Sequence, residues 1–239
     1  MIYLTGDFHN TIDGERIKQE FFSYEGLTRE DYILNCGDFG FIWHGDKRDE
    51  EDLQWLSELP VTILFVDGNH ENLDALQQYP ITTWNGGRVQ FIRDNIIHLM
   101  RGEVYTIEGK KYFTFGGGTS IDRMYRTEGV SWWPQEIPSQ EEFDHGIETL
   151  EKHDWKVDYV ITHSAPSNVV PLISPFFGKD ILNNYLMNID ERLSYTHWYF
   201  GHYHKDVDLD AKHTMLYKAF VEVGKTMKEK ETKRIIMHA

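Results

Sequence analysis

This sequence predicts an α/β fold of two sheets packed together with helices outside, on three observations. Short apolar and β-branched runs stop at polar clusters; the first three clusters begin 31 residues apart, at Asp7, Asp38 and Asn69; and after residue 80 the pattern changes to short extended runs with turn signals. A step of roughly 30 residues is the length of a βαβ unit. The first strand is expected over residues 2–4 and the second over 32–34, with a polar, apolar-punctuated helix over 13–24 between them. Residues 48–59 place Leu53, Leu56 and Leu59 on one helical face, Pro60 ends that helix, and a strand follows over 61–66. The 31-residue step stops there, which excludes a solenoid.

Extended runs come next at 89–92, 103–107 and 111–115, the last two closing as a hairpin at Glu108-Gly109. Helices are expected over 140–153 and 180–193, the second aligning Ile181, Leu182, Tyr185, Leu186, Ile189 and Leu193, with a strand over 159–161 between them. The chain closes on strands expected at 198–200, 207–209, 215–220 and 234–237.

A length of 239 residues suits one large α/β domain spanning 1–239. The net charge of −15, from 39 acidic and 24 basic residues, argues against a nucleic-acid partner, because counterion-releasing contacts need clustered Lys and Arg. The one dense basic stretch, Lys225, Lys228, Lys230, Lys233 and Arg234, is partly cancelled by Glu222, Glu229 and Glu231. Cys36, the only cysteine, forms no internal disulfide and reads as a small core filler. Strand-like sequence from residue 2 leaves no room for a signal peptide, and no apolar stretch reaches the roughly 18 residues of a membrane span. A cytoplasmic protein without a membrane partner is the expectation; oligomeric state is not legible.

Five polar clusters carry the chemistry: Asp7 with His9, Asp38, Asn69 with His70, His163, and His202 with His204. All but one directly follow an apolar run, the place where sites lie in open α/β sheets. Each has a plain structural reading. Asp7 can cap a helix, Gly68-Asn69-His70-Glu71 can be a tight turn, and His163 can be a satisfied core histidine. His202 and His204, one residue apart in extended chain, point the same way and grip better. Together the clusters supply carboxylate, imidazole and amide donors without thiolate, a mix suited to Mn, Fe, Zn or Ni acting on water and phosphate. The conjunction predicts a dinuclear metallohydrolase.

The series Asp7-x-His9, Gly37-Asp38, Gly68-Asn69-His70-Glu71, His163 and Gly201-His202-x-His204 resembles the calcineurin-like metallophosphoesterase superfamily in order and spacing, over residues 6–204. The resemblance implies a four-layer α/β/β/α sandwich of two mixed sheets flanked by helices. It implies one divalent ion on Asp7, His9, Asp38 and His204, and a second on Asp38, Asn69, His163 and His202, with Asp38 bridging. Mn²⁺ is the expected ion for activity in vitro. The implied reaction is hydrolysis of a phosphomonoester or phosphodiester by a hydroxide shared between ions about 3.5 to 4 Å apart, with Asp38 and His70 as the catalytic pair. His70 would support the leaving oxygen, and its usual acidic partner is matched only loosely by Asp38 or Glu71. Asn10 replaces a common glycine, and the Asp-Arg pair of family phosphoprotein phosphatases is absent from the run Asp38-Phe39-Gly40-Phe41-Ile42-Trp43-His44.

Substrate contacts are expected from Asn69, His44, Arg123 and Arg126. The run Gly116-Gly117-Gly118-Thr119-Ser120 reads either as a cradle of N–H groups for an anion or as a flexible loop. Trp132 and Trp133 read as buried against the body, with a stacking face for a base or aryl group as the other reading. The remaining histidines, His98, His145, His153, His197, His213 and His238, fit no ligand spacing. The substrate expected is a small phosphorylated molecule. A non-catalytic scaffold of the same fold and a nuclease are the alternatives, opposed by the intact ligand set and the acidic charge respectively.

Overall fold

The computed structural model describes residues 1–17 and 26–228. Thirteen strands among them form two sheets. The first seven-stranded sheet is built from β1 (Ile2–Thr5), β2 (Tyr32–Asn35), β3 (Thr62–Phe65), β4 (Ile81–Trp84), β5 (Gly87–Arg93), β6 (Ile96–Leu99) and β13 (Val221–Glu222), in the order β13-β1-β2-β3-β6-β5-β4. The second holds β7 (Glu103–Ile107), β8 (Lys110–Phe115), β9 (Tyr159–Thr162), β10 (His197–Phe200), β11 (Val207–Asp208) and β12 (His213–Met215), in the order β11-β12-β10-β9-β8-β7. Strands β1, β2, β3 and β6 run parallel, as do β8, β9, β10 and β12. Antiparallel strands complete the edges, so both sheets are mixed.

Alternation along each buried strand produces the layers. Leu4, Leu34, Leu64 and Ile97 stand in register across the first sheet and meet Tyr105, Ile161 and Tyr199 of the second in one cluster between the sheets. Ile33, Ile63 and Phe65 turn the other way, onto Leu53 and Leu56 of α2 (Lys47–Ser57) and onto α3 (Leu73–Leu76). On the far side, Phe113, Phe115, Val160 and Trp198 pack against Phe143 and Leu150 of α4 (Gln140–Lys152) and Leu182 and Leu186 of α6 (Ile181–Asp190). The result is a four-layer sandwich of helices, sheet, sheet and helices.

Local sequence accounts for the helix starts. Ser139 and Glu142 make a reciprocal capping box at α4, Asp180 and Asn183 do the same at α6, and Asp46 caps α2. Two short helices, α1 (Thr11–Gly14) and α5 (Val170–Ile173), lie beside the site loops. Among the described residues, no helix is long and apolar enough to cross a membrane.

Several boundaries differ from the sequence expectation. The helix over 13–24 falls largely, and the strand over 234–237 wholly, outside the described residues. The extended run 215–220 is not one strand: β12 ends at Met215, the Asp206 carboxylate accepts from the Tyr217, Lys218 and Ala219 N–H groups and turns the chain, and β13 starts at Val221. The last helix stops at Asp190, three residues early. Strands β4 and β6 were not anticipated. Yet Asn85 and Gly86 both adopt positive φ, 49° and 99°, the turn geometry that an Asn-Gly pair signals for a hairpin.

Candidate metal centre

Because the parallel strands of each sheet point one way, their following loops emerge along one edge, and the edges of both sheets meet there. The loops after β1, β2 and β3 deliver Asp7 and His9, Asp38, and Asn69 with His70; those after β9 and β10 deliver His163, and His202 with His204. Ligand-capable atoms of Asp7, His9, Asp38 and His204 all lie within 4.8 Å of one another. The remaining predicted ligands adjoin them: His163 Nε2 is 3.1 Å from Asn69 Oδ1 and 3.3 Å from Asp38 Oδ1, and the His163 and His202 rings are 4.9 Å apart. Asp38 reaches both groups, its other oxygen lying 3.2 Å from His9 Nε2.

The donor set fits divalent cations on grounds internal to the fold. His163 Nδ1 bonds the Cys36 carbonyl at 2.9 Å, and His9 Nδ1 bonds Asp13 Oδ2 at 3.0 Å. Both contacts place the ring proton on Nδ1. Each Nε2 therefore faces carboxylate or amide oxygen, a position where either a proton or a metal cation can bridge the pair. Asp7 Oδ2 is buried with no hydrogen-bond partner, while Asp7 Oδ1 accepts from the His202 N–H at 3.0 Å. An unpartnered buried carboxylate oxygen is costly and points to a missing counter-charge.

The protonation equilibria divide the imidazoles. Burial pushes the Asp7 carboxyl up to about 7, opposed by the charge of His163 and reinforced by that of Asp38. Burial and then His163 press His202 down to about 3, and burial and His9 lower His204, so both imidazoles favour the neutral form that binds metal. Burial opposes the charge on Asp38, yet His163 and a hydrogen bond from His9 hold it well below the carboxylate range. His9 is the exception: it loses some basicity to burial, but Asp38 raises it to about 9, so in the metal-free protein it shares a second ring proton with Asp38 that metal binding must displace.

The backbone is bent to make this arrangement. His9, Asp38, His202 and His204 have φ of 47°, 50°, 70° and 53°, left-handed values that non-glycine residues rarely adopt and that concentrate at functional sites. Two glycines are required by close approach. A Cβ on Gly37 would strike the His163 ring, and one on Gly68 would strike the Asp38 carboxylate.

Other expected residues are distributed as follows. His70 donates its backbone N–H to Asp38 Oδ1 at 2.7 Å, lays its ring 6.1 Å from Trp43, and accepts at Nε2 from Arg126 at 3.2 Å. Its partner is thus an arginine rather than an acid, and burial lowers its basicity. Glu71 turns away from the His70 ring to accept from the Phe39 and Gly40 N–H groups at 2.6 and 3.1 Å, holding the loop that follows Asp38. Arg126 and Asn69 line a cavity of about 410 Å³ over the metal ligands, whereas Arg123 is exposed and does not line it. His44 lines a second cavity, of about 620 Å³, that adjoins His9, Trp43 and His70.

Three of the five N–H groups of the glycine run bond within the protein rather than facing an anion. The Gly117 and Gly118 N–H groups bond the Asp67 and Glu136 carbonyls at 2.9 and 3.1 Å, and the Ser120 N–H bonds the Glu136 carboxylate at 3.0 Å. Trp133 is buried and donates to Asp74. His98 is a satisfied core histidine between Gln90 and Asp67. Sequence reasoning singled out Ser120 only as the end of the glycine run, and missed Asp13, legible only as an acid four residues after His9, and Glu136, which no local pattern marks. It also missed Tyr217, which stacks on His204 at 4.7 Å.

Comparison with known proteins agrees with this geometry. The family model for calcineurin-like phosphoesterases matches residues 1–206. The chain belongs to that family, whose members depend on paired metal ions. No protein of curated function matches it in sequence. Among solved structures, it is similar to a phosphopantetheinyl hydrolase from Mycobacterium tuberculosis, with 15% identity, a TM-score of 0.47, and coverage of 91% of this chain and 89% of that one. It is similar also to a protein of unknown function from Aquifex aeolicus (18% identity, TM-score 0.33, 69% and 80% covered). A third likeness is to the sulfate thiohydrolase SoxB of Thermus thermophilus (10% identity, TM-score 0.42, 91% and 51% covered).

Proposed function

We propose that this protein hydrolyses the phosphoester of a small molecule, monoester or diester, with two divalent ions on Asp7, His9, Asp38 and His204 and on Asp38, Asn69, His163 and His202. The observation that carries the reading is the convergence of imidazole nitrogens and an orphaned carboxylate oxygen on a bridging aspartate, beneath a cavity of about 410 Å³ that also holds an arginine. Bound there, the ions would polarise phosphoryl oxygens and acidify a water.

The chain's own groups supply the remainder. Asp38 aims one oxygen at each half of the ligand set and fixes their separation. Arg126, braced by Asp122 at 2.7 Å, shifts its guanidinium from His70 to a phosphoryl oxygen when substrate enters. That move frees His70 Nε2 to take up a proton from solvent and donate it to the leaving oxygen. Substrate contact thus rests on Asn69 and Arg126 in this cavity and on His44 in the adjoining one, while Arg123 lines neither.

A small substrate accords with the acidic chain and with the apolar and acidic groups around the cavity, among them Ile121, Asp122, Phe177 and Asp180. Manganese is our choice of ion for assay, and a cytoplasmic setting accords with the single buried cysteine. The test is hydrolysis of an aryl phosphomonoester and the matching diester by chelator-stripped protein refilled with Mn²⁺, beside Asp38→Asn. Turnover restored by metal and absent in the variant is expected, and the ratio of the two substrates assigns the class. No turnover with any refilled ion, despite ion binding, would contradict the enzyme reading.

A further inference from the structure

Beneath the second half of the ligand set lies a buried relay that metal coordination does not use. Glu136, 1% exposed, stands in the turn before α4 and receives two hydrogen bonds from one residue. The Ser120 N–H reaches Oε1 at 3.0 Å, and the Ser120 hydroxyl reaches Oε2 at 2.7 Å. The same hydroxyl oxygen is 3.3 Å from Asn69 Nδ2, and Asn69 Oδ1 is 3.1 Å from His163 Nε2. Ser120 and Asn69 are themselves 3% and 6% exposed, so water does not substitute for these partners.

Donor arithmetic makes the relay directional. A serine hydroxyl has one proton and two lone pairs, and an amide has one accepting end and one donating end. With the Ser120 proton directed to Glu136, Ser120 Oγ can only accept from Asn69. The amide must turn its NH₂ towards Ser120, leaving Oδ1 towards His163. A reversed amide would put two acceptors together at Ser120 and N–H protons in the ion's place.

We infer that Glu136 and Ser120 are positioning residues that fix the rotation of the Asn69 amide, so that an oxygen rather than a nitrogen faces the second metal position. The inference rests on the metal reading above. It also gives the glycine run its purpose: a Cβ on Gly118 would crowd Asn69 Oδ1 and His163, so only glycine lets the Ser120 segment pass beneath them.

The relay predicts that one ion weakens while the other does not. Mn²⁺ titration by calorimetry on the full chain should show two ions in the unaltered protein. In Ser120→Ala the amide loses its acceptor. In Glu136→Gln the side-chain amide can donate to Ser120 Oγ, freeing the hydroxyl proton to turn towards Asn69 and reverse it. Each variant should weaken the second ion by about 10- to 100-fold, the range for loss of groups behind a ligand. The first ion should keep its affinity, and the thermal midpoint of the metal-free protein should move little in at least one variant. Two ions bound with unchanged affinity in both variants would overturn the inference, as would equal weakening of both ions, which marks general damage. An unaltered protein that binds no Mn²⁺ would instead overturn the metal reading itself.

Discussion

The floor of the site and its rim are built on opposite principles. On the floor, most ligating side chains have a second partner that fixes them: His9 has Asp13, His163 has the Cys36 carbonyl, Asn69 has Ser120, and Asp7 has the His202 N–H. On the rim, Ile121 and Phe177 line the cavity from loop segments and are 92% and 42% exposed. Preorganised charge belongs where chemistry must be held to within fractions of an ångström. Recognition is left to loops whose side chains are free to meet a ligand.

The largest effect should come from breaking the floor at its centre. Asp38→Asn removes charge from both halves at once, and both ions and turnover should fall to background in titration and assay. His70→Ala should do less: both ions stay bound while kcat drops by about 10²- to 10⁴-fold, the usual worth of a positioned acid or base. Loss of metal in that variant would place His70 in the floor rather than above it.

Below the third loop, the buried Arg101 guanidinium forms an ion pair with the Asp67 carboxylate, holding it below the carboxylate range against the cost of burial. Arg101→Met strands that charge, and denaturant unfolding should lose about 3–5 kcal/mol. The rim should answer differently. Ile121→Asn should shift stability by about 0.5 kcal/mol or less and leave both ions in place, while KM for the preferred ester rises.

The smallest effect lies far from the site. His213 bonds Asp210 and Tyr195 and faces Asp190, with Lys212 over the Tyr195 ring. Burial works against its charge, but the two aspartates raise it above its ordinary value. A raised histidine stabilises the fold fully below its unfolded value near 6.5, and that stability is lost as pH climbs through the higher folded value. Asp190 is subject to burial but is drawn down to about 2 by His213, so its share is present above about 3.8 and lost as pH falls through 2. Thermal midpoints of His213→Asn against pH should lose the decline on the alkaline side and leave the metal centre unaffected.

The same contrast separates what was legible in the sequence from what was not. Asp7, Asp38 and Asn69 stood out because strand, helix and loop repeat with a constant step and put each polar residue after a buried run. Asp13 was half legible, since it falls one helical turn after His9. Glu136 and Ser120 were not, because their roles arise from a contact 51 residues long, between Ser120 and Asn69, that no local period marks. The Arg126 partner of His70, 56 residues away, was hidden for the same reason. The glycine run reads as an anion cradle or a flexible loop, whereas its neighbours show that Gly118 serves close approach. Strand β4 escaped because its side chains are mostly exposed and carry no alternation.

The most direct measurement is a crystal structure of protein soaked in Mn²⁺, with anomalous differences collected at the manganese edge. Two peaks on either side of the Asp38 carboxylate are predicted, one within bonding reach of Asp7, His9 and His204, the other of Asn69 Oδ1, His163 and His202. A single peak, or ions bound away from Asp38, would contradict the account.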